Sequence, residues 1–275
     1  MSNRIAARFA RLKAENRAAF IPFITGGDPS FEVCREILHG LPRVGADLIE
    51  VGMPFSDPMA EGKPIQASSL RALTQGHTTK KTFELIRGFR GVNADTPVIL
   101  MGYANPVFAY GAQPFARDAA QAGADGLIIV DLPPEEDEEL RLAAKSHGLA
   151  VIRLATPTSD DARLETIVQG ADGFVYYVSI TGVTGAQSIG VSAALAKVQQ
   201  IRRHTALPVA VGFGIKTPAD ASAIARVADA AVVGSAVVNS VAEFINPDGS
   251  IRPGCAAHVL TFVESLSVAV REARR

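Results

Sequence analysis

Hydrophobic positions along this chain arrive in short continuous runs rather than in alternation with polar ones. Eight runs recur, each followed by a polar or glycine-rich turn: "FIPFIT" (20–25), "LIEV" (48–51), "VILMG" (98–102), "GLIIV" (126–130), "AVIRL" (150–154), "GFVYYV" (173–178), "PVAV" (208–211) and "AAVV" (230–233). Continuous apolar runs of this length are those of parallel strands covered on both faces. The segments between them are longer, rich in Ala and Leu, and carry apolar residues at helix spacing, as in "VSAALAKVQQIRRH" and "TPADASAIARVAD". The second of these opens with Thr217 and Pro218, an N-cap residue followed by proline at the first helical position. Repetition of strand, turn and helix predicts an α/β fold, a closed (β/α)8 TIM barrel. A doubly wound open sheet has a similar cadence, but the count reaches eight without forcing. An amphipathic helix is expected in "MSNRIAARFARLKAENRAAF" and a loop with a closing helix in "INPDGSIRPGCAAHVLTFVESLSVAVREARR". No linker rich in Gly, Ser or Pro divides the chain, so a single barrel domain is expected over 1–275.

Composition narrows the function. The 275 residues are 48% hydrophobic, enough for one large core, and 27 Lys and Arg nearly cancel 28 Asp and Glu. Nothing here suggests a nucleic-acid tail or a basic membrane surface, so a ligand must be recognised locally. Cys34 and Cys255 are too few and too far apart for a disulfide framework or a thiolate metal cluster, which suits a reducing, cytoplasmic setting. The first residues scatter their charges and do not read as a secretory signal. No run approaches the roughly 20 apolar residues of a membrane span.

In a barrel, catalytic side chains sit where strands end and the following loops begin, which singles out "IEVGMPFSDPMAEG" (49–62). Glu50 falls inside an apolar run at the end of the second strand, on the opposite face from Ile49 and Val51. A carboxylate buried there needs a raised pKa or a specific partner. The first suits acid–base chemistry, the second a purely structural role. Asp57, between two prolines, fits a turn or helix cap as well as a functional role, and Glu61 stands just before a helix at the same mouth. Glycine-rich stretches follow the sixth and seventh runs ("SITGVTGAQSIG", "GFGIKTP"), and Gly234-Ser235 follows the eighth. Three such stretches at consecutive strand ends point to a phosphate held by backbone N–H groups and a helix N-terminus. Phe23, Tyr103, Tyr176 and Phe213 lie at or near strand ends and suit a flat ligand. No lysine stands at a strand end, which argues against a Schiff base. The histidines His39, His77, His147, His204 and His258 do not cluster there, which argues against zinc. The acidic run "PPEEDEEL" (133–140) reads as a helix N-terminus rather than a metal site; Asp131, just before it and just after the fourth strand, is of more interest for function, with fixing the loop as the simple alternative.

The stretch "LIEVGMPFSDPMAEGKPIQASSLRAL", with "MGYANPVF", "DLPPEE", "TGVTGA" and "VGFGI", closely resembles the tryptophan synthase alpha subunit family, from about Phe20 to Ser235. The resemblance implies retro-aldol cleavage of indole-3-glycerol phosphate to indole and glyceraldehyde 3-phosphate. It implies Glu50 as principal acid–base residue and Glu61 at the indole nitrogen. It also implies phosphate binding by Gly185, Gly214, Gly234 and Ser235, and an indole pocket of Phe23, Tyr103, Tyr176 and Phe213. By the same resemblance, Thr184 lies in a loop that closes the site against the one bearing Asp57 and Glu61. The chain would need no cofactor or metal of its own. Its partner would be a separate beta subunit holding pyridoxal phosphate, in an alpha2beta2 heterotetramer. Two positions depart from the family pattern: Glu61 where aspartate is usual and Lys63 where proline is usual. Lys63 is expected to pair with Glu61 or with another carboxylate of the loop.

Overall fold

The computed structural model describes residues 4–178, 190–212 and 214–275. The strands are β1 (Ala19–Thr25), β2 (Ile49–Gly52), β3 (Val98–Gly102), β4 (Gly126–Ile129), β5 (Ala150–Val151), β6 (Arg153–Ala155), β7 (Val175–Val178), β8 (Val209–Gly212) and β9 (Ala230–Val233). Among the described residues the helices are α1 (Arg4–Ala14), α2 (Phe31–Gly40), α3 (Lys63–Thr74), α4 (Thr79–Arg90), α5 (Ala104–Tyr110), α6 (Ala112–Ala122), α7 (Glu138–Ser146), α8 (Asp161–Val168), α9 (Val191–Arg202), α10 (Pro218–Val227), α11 (Ser235–Ala242) and α12 (Cys255–Glu272). Every strand pairing is parallel, in the order β5-β4-β3-β2-β1-β9-β8-β7-β6.

The eight apolar runs thus give nine strands, because the fifth run breaks at Ile152. Its first half pairs with β4 and its second with β7, so the two edges of the ladder are consecutive pieces of one run. The Ile152 N–H still donates to the Leu127 carbonyl at 2.9 Å, and the barrel closes through the chain itself. The helix signals hold where a cap was visible. Thr217 accepts from the Asp220 N–H and Asp220 returns the bond, with Pro218 at the first helical turn. The acidic run at 133–140 ends in α7, whose first turn holds Glu138 and Glu139.

Two apolar layers form. One lies between the sheet and the outer helices, where α12 packs across α2, α10 and α11. The other fills the barrel, with Ile21, Ile99, Ile128, Phe174, Ala210 and Val232 pointing inward. Into its N-terminal end α1 inserts Ile5, Phe9 and Leu12, and the Phe9 ring lies 5.8 Å from that of Phe174. The amphipathic first helix is therefore the barrel's floor.

Charge completes that floor. Asp47, Asp125 and Asp229 stand at the entries to β2, β4 and β9 and accept a backbone N–H at the start of another strand: Phe20, second in β1, at 3.0 Å, Val98 at 2.8 Å and Val209 at 2.9 Å. Arginines neutralise them, Arg17 on Asp47, Arg4 and Arg90 on Asp125, and Arg202 on Asp229. With one end sealed by apolar packing and paired charge, the opposite end is where loops are free to build a site. Cys34 and Cys255 are free and buried, and among the described residues no helix is long and apolar enough to cross a membrane.

Candidate active site

Glu50 is the second residue of β2, in register with Phe23 of β1 and Ile99 of β3. The strand continues to Gly52, so Glu50 sits two residues inside the strand end rather than at it. It is 1% exposed, and its Oε1 has no hydrogen-bond partner among the described residues. Burial, and then the charge of Glu61, push its carboxyl up to about 8. Among the described residues nothing offsets the cost of ionising it, so its neutral form is favoured.

Tyr176 also lies deeper than its position in the run suggested, as the second residue of β7. Its phenol is raised well above the ordinary range by burial and by the charges of Glu50 and Glu61. Gly212 on the adjoining β8 makes room for it, since a Cβ there would come within 2.3 Å of the Tyr176 Oη. Gly52 does the same for Phe23, whose Cζ would be 2.5 Å from an added Cβ. Glycines that end apolar runs ("IEVG", "VAVG") were visible in the sequence. Their service to rings on neighbouring strands was not.

The loop after β2 brings Glu61 to the same mouth. Its N–H donates to the Pro58 carbonyl (3.0 Å), and its own carbonyl accepts from Gln66 Nε2 (2.8 Å), which fixes the turn into α3. Gly62 is the N-cap, with Lys63 and Pro64 opening the helix. The Glu61 carboxyl is buried and burial lifts it to about 7. Tyr103, the N-cap residue of α5, accepts the Ala60 N–H on its phenol oxygen at 3.2 Å and packs its ring 5.4 Å from Phe55, so it pins this loop. A second clamp was not foreseen: Thr25 at the end of β1 and Ser68 on α3 share a hydrogen bond of 2.6 Å. A cavity of about 20 Å³ lies among Phe23, Glu61, Ile65, Met101 and Tyr103.

The expected pairing of Lys63 is not found. Its side chain is exposed and forms no ion pair among the described residues, because as the first residue of α3 it faces solvent while Glu61 turns inward. Asp57 does not cap α3; it is exposed and accepts from the Ser56 hydroxyl at 2.5 Å. Asp131 does fix a loop, accepting the Ala104 N–H at 2.7 Å and so tying the start of α5 to the end of β4.

At the other side of the mouth, Gly234 is the N-cap residue of α11 and Ser235 its first residue, and no side chain caps this end. A Cβ on Gly234 would lie 3.6 Å from Phe23 and 3.8 Å from Ile65, so the helix start borders the same apolar wall as Glu61. Gly214 has φ +82 in the turn after β8. Phe213, Thr184 and Gly185 lie outside the described residues. Among the described residues, no group of three or more His, Cys, Asp or Glu side chains is arranged to hold a metal ion.

Two buried carboxyls raised by burial, aromatic walls and an uncapped helix start, all at the C-terminal mouth of a parallel barrel, mark the candidate site of an enzyme of the (β/α)8 class. The tryptophan synthase alpha chain family model matches residues 9–268. A tryptophan synthase alpha chain from Phenylobacterium zucineum (strain HLK1) is 54% identical over 272 residues, covering 99% of this chain and 97% of that one. The crystal structure of the alpha subunit from Legionella pneumophila str. Paris superposes with a TM-score of 0.89 at 38% identity, covering 98% of this chain and 99% of the other. That of an aminoacrylate-bound tryptophan synthase from M. tuberculosis superposes with a TM-score of 0.86 at 32% identity, covering 98% and 100%. The chain belongs to the tryptophan synthase alpha chain family, lyases that cleave indole-3-glycerol phosphate to indole and glyceraldehyde 3-phosphate.

Proposed function

We propose that Glu50 is the acid–base residue of this cleavage and that Glu61 holds the indole nitrogen. The observation that supports this most is the placement of two buried carboxyls at one mouth, both pushed up by burial, and Glu50 further by the charge of Glu61. When Glu61 is ionised its charge favours the protonated form of Glu50. That form has what the reaction requires. Protonated Glu50 gives its proton to C3 of the ring, and the positive charge that develops at the ring N–H is stabilised by the Glu61 carboxylate. Ionised Glu50 then takes the proton of the side-chain hydroxyl next to the ring. The C–C bond breaks as the aldehyde forms, and its electron pair returns to the ring and restores indole. Glu50 finishes protonated, as it began, so no external base is consumed. The apolar surroundings strengthen each of these charge interactions.

In this reading Phe23, Tyr103, Tyr176 and Phe213 wall the indole. The phosphate rests on Gly185, Gly214, Gly234 and Ser235, whose helix start offers unbonded N–H groups and a positive dipole end. Thr184 and Asp57 meet when the loops close and exclude water. The chain acts as a single domain in the cytoplasm with a beta subunit that receives the indole. Pyridoxal phosphate sits in that partner, and the assembly is alpha2beta2. The lyase family supports the partner, and the neutral overall charge with two buried thiols suits the compartment.

Indole release from indole-3-glycerol phosphate, with and without a cognate beta chain, tests the assignment. Wild type should release indole, faster with the partner, and Glu50→Gln should lower the rate at least a thousandfold. A Glu50→Gln variant within about tenfold of wild type would remove Glu50 from the chemistry.

A further inference from the structure

The N-terminal end of the barrel, away from Glu50, holds a cleft that the cleavage does not use. It has a volume of about 480 Å³, within the roughly 300–1,000 Å³ typical of small-molecule sites. It lies between the end of α1, the turn into β1, the Gly45–Asp47 turn and the last residues of α12. Six arginines line it, Arg8, Arg11, Arg17, Arg271, Arg274 and Arg275, against two carboxylates, Glu15 and Asp47.

The existing partners absorb only part of this charge: Glu15 meets Arg11 at 3.0 Å and Arg17 at 3.2 Å, Arg275 meets Glu272 at 3.6 Å, and Arg274 donates to the Ala225 and Ala228 carbonyls. Asp47 accepts two bonds from Arg17, at 2.9 and 3.3 Å, and one from the Phe20 N–H. Arg8, 14% exposed at its side chain, reaches Asp47 only at 3.7 Å and makes no hydrogen bond among the described residues. Arg271 makes neither a hydrogen bond nor an ion pair among them. Its Nη2 lies over Gly45, where a Cβ would come within 2.7 Å. Helix dipoles account for Arg11 and Arg271, in the last turns of α1 and α12. They do not account for Arg8, one turn earlier, or for Arg17, in the turn beyond.

We propose that this cleft binds a polyphosphate anion, a chain of two or three phosphoryl groups. The lining sets six arginines against two carboxylates, with Glu272 beside Arg275 as a third, and a single phosphate carries only about −1.5 to −2, so it leaves much of the excess unmatched where a chain of phosphoryl groups does not. Guanidinium groups meet phosphate oxygens two bonds at a time, which lysine does not do. No aromatic ring lines the cleft, so the phosphate chain is what is recognised and a nucleoside attached to it stays in water.

Calorimetric titration of the full chain at low ionic strength, with inorganic triphosphate, ATP and orthophosphate, tests this. Triphosphate should bind one site, at least tenfold more tightly than orthophosphate, with ATP close to triphosphate. Saturating indole-3-glycerol phosphate should not displace it. Arg11→Gln with Arg271→Gln, both on exposed side chains, should weaken triphosphate at least tenfold, lower the melting temperature by no more than a few degrees and leave indole release at the wild-type value. Unchanged affinity in the double variant, displacement by indole-3-glycerol phosphate, binding of ATP without binding of triphosphate, or no triphosphate binding at millimolar concentration would each overturn the proposal.

Discussion

Glu50 costs the fold stability at high pH, and this gives its burial a measurable signature. Its folded carboxyl sits near 8 against an ordinary 4.5, so the folded chain holds this proton more tightly than the unfolded one. The stabilisation is full below about 4.5 and is lost as pH rises through about 8. Glu50→Gln removes the ionisation, so the variant should melt several degrees above wild type at pH 9 and close to it near pH 5, as read by calorimetry. Every tenfold difference in proton affinity between the folded and unfolded chain is worth about 1.4 kcal/mol. Gly212→Ala makes a second prediction at this scale. The new methyl meets the Tyr176 hydroxyl, so the ring must move. KM for indole-3-glycerol phosphate should rise about tenfold in steady-state assays while the fold persists. Glu50 was legible in the sequence because a carboxylate in an apolar run breaks the pattern. The pairing of Gly212 with Tyr176 was not, because it joins two strands whose register no local signal encodes. The pairing expected of Lys63 fails for a related reason: nearness to Glu61 in the chain says little when one residue ends a loop turned inward and the next but one starts a helix turned outward.

The strands and helices were readable from their runs and caps, since continuous apolar segments and a Thr-Pro helix start are local physics. The break at Ile152 was not, because "AVIRL" is apolar almost throughout and the interruption arises only when its two halves pair with different neighbours. The first helix shows the same limit. Its amphipathic spacing predicted a helix, but only the fold shows Phe9 packed against Phe174 inside the barrel floor. Phe9→Ala should therefore cost about 3–5 kcal/mol in denaturant unfolding. The kcat of the folded enzyme should stay near wild type, because the floor lies at the end away from Glu50.

Across the whole molecule, stability and chemistry sit at opposite ends of one barrel. Asp47→Ala should leave Arg17 with only Glu15, take from Arg8 its one nearby carboxylate and strand the Phe20 N–H, and so lower stability by about 3 kcal/mol, again with little change in kcat. Among the described residues the mouth concentrates groups the fold would be more stable without: a carboxyl with an unpartnered oxygen, a second buried acid, and a helix start that no side chain caps. The two carboxyls are both raised by burial, Glu50 to about 8 and Glu61 to about 7, and the proposed chemistry depends on the proton they carry between them. The pH dependence of kcat/KM for indole-3-glycerol phosphate, in wild type and in Glu61→Gln, reads that proton without intermediaries. Wild type should give a bell, rising through about 7 as Glu61 ionises and falling through about 8 as Glu50 loses its proton. Glu61→Gln should lose the rising limb and most of the rate, and its fall should move to lower pH because the charge that helps raise Glu50 is gone. A wild-type profile flat from pH 6 to 9, or a rising limb that survives in Glu61→Gln, would contradict the division of labour between the two glutamates.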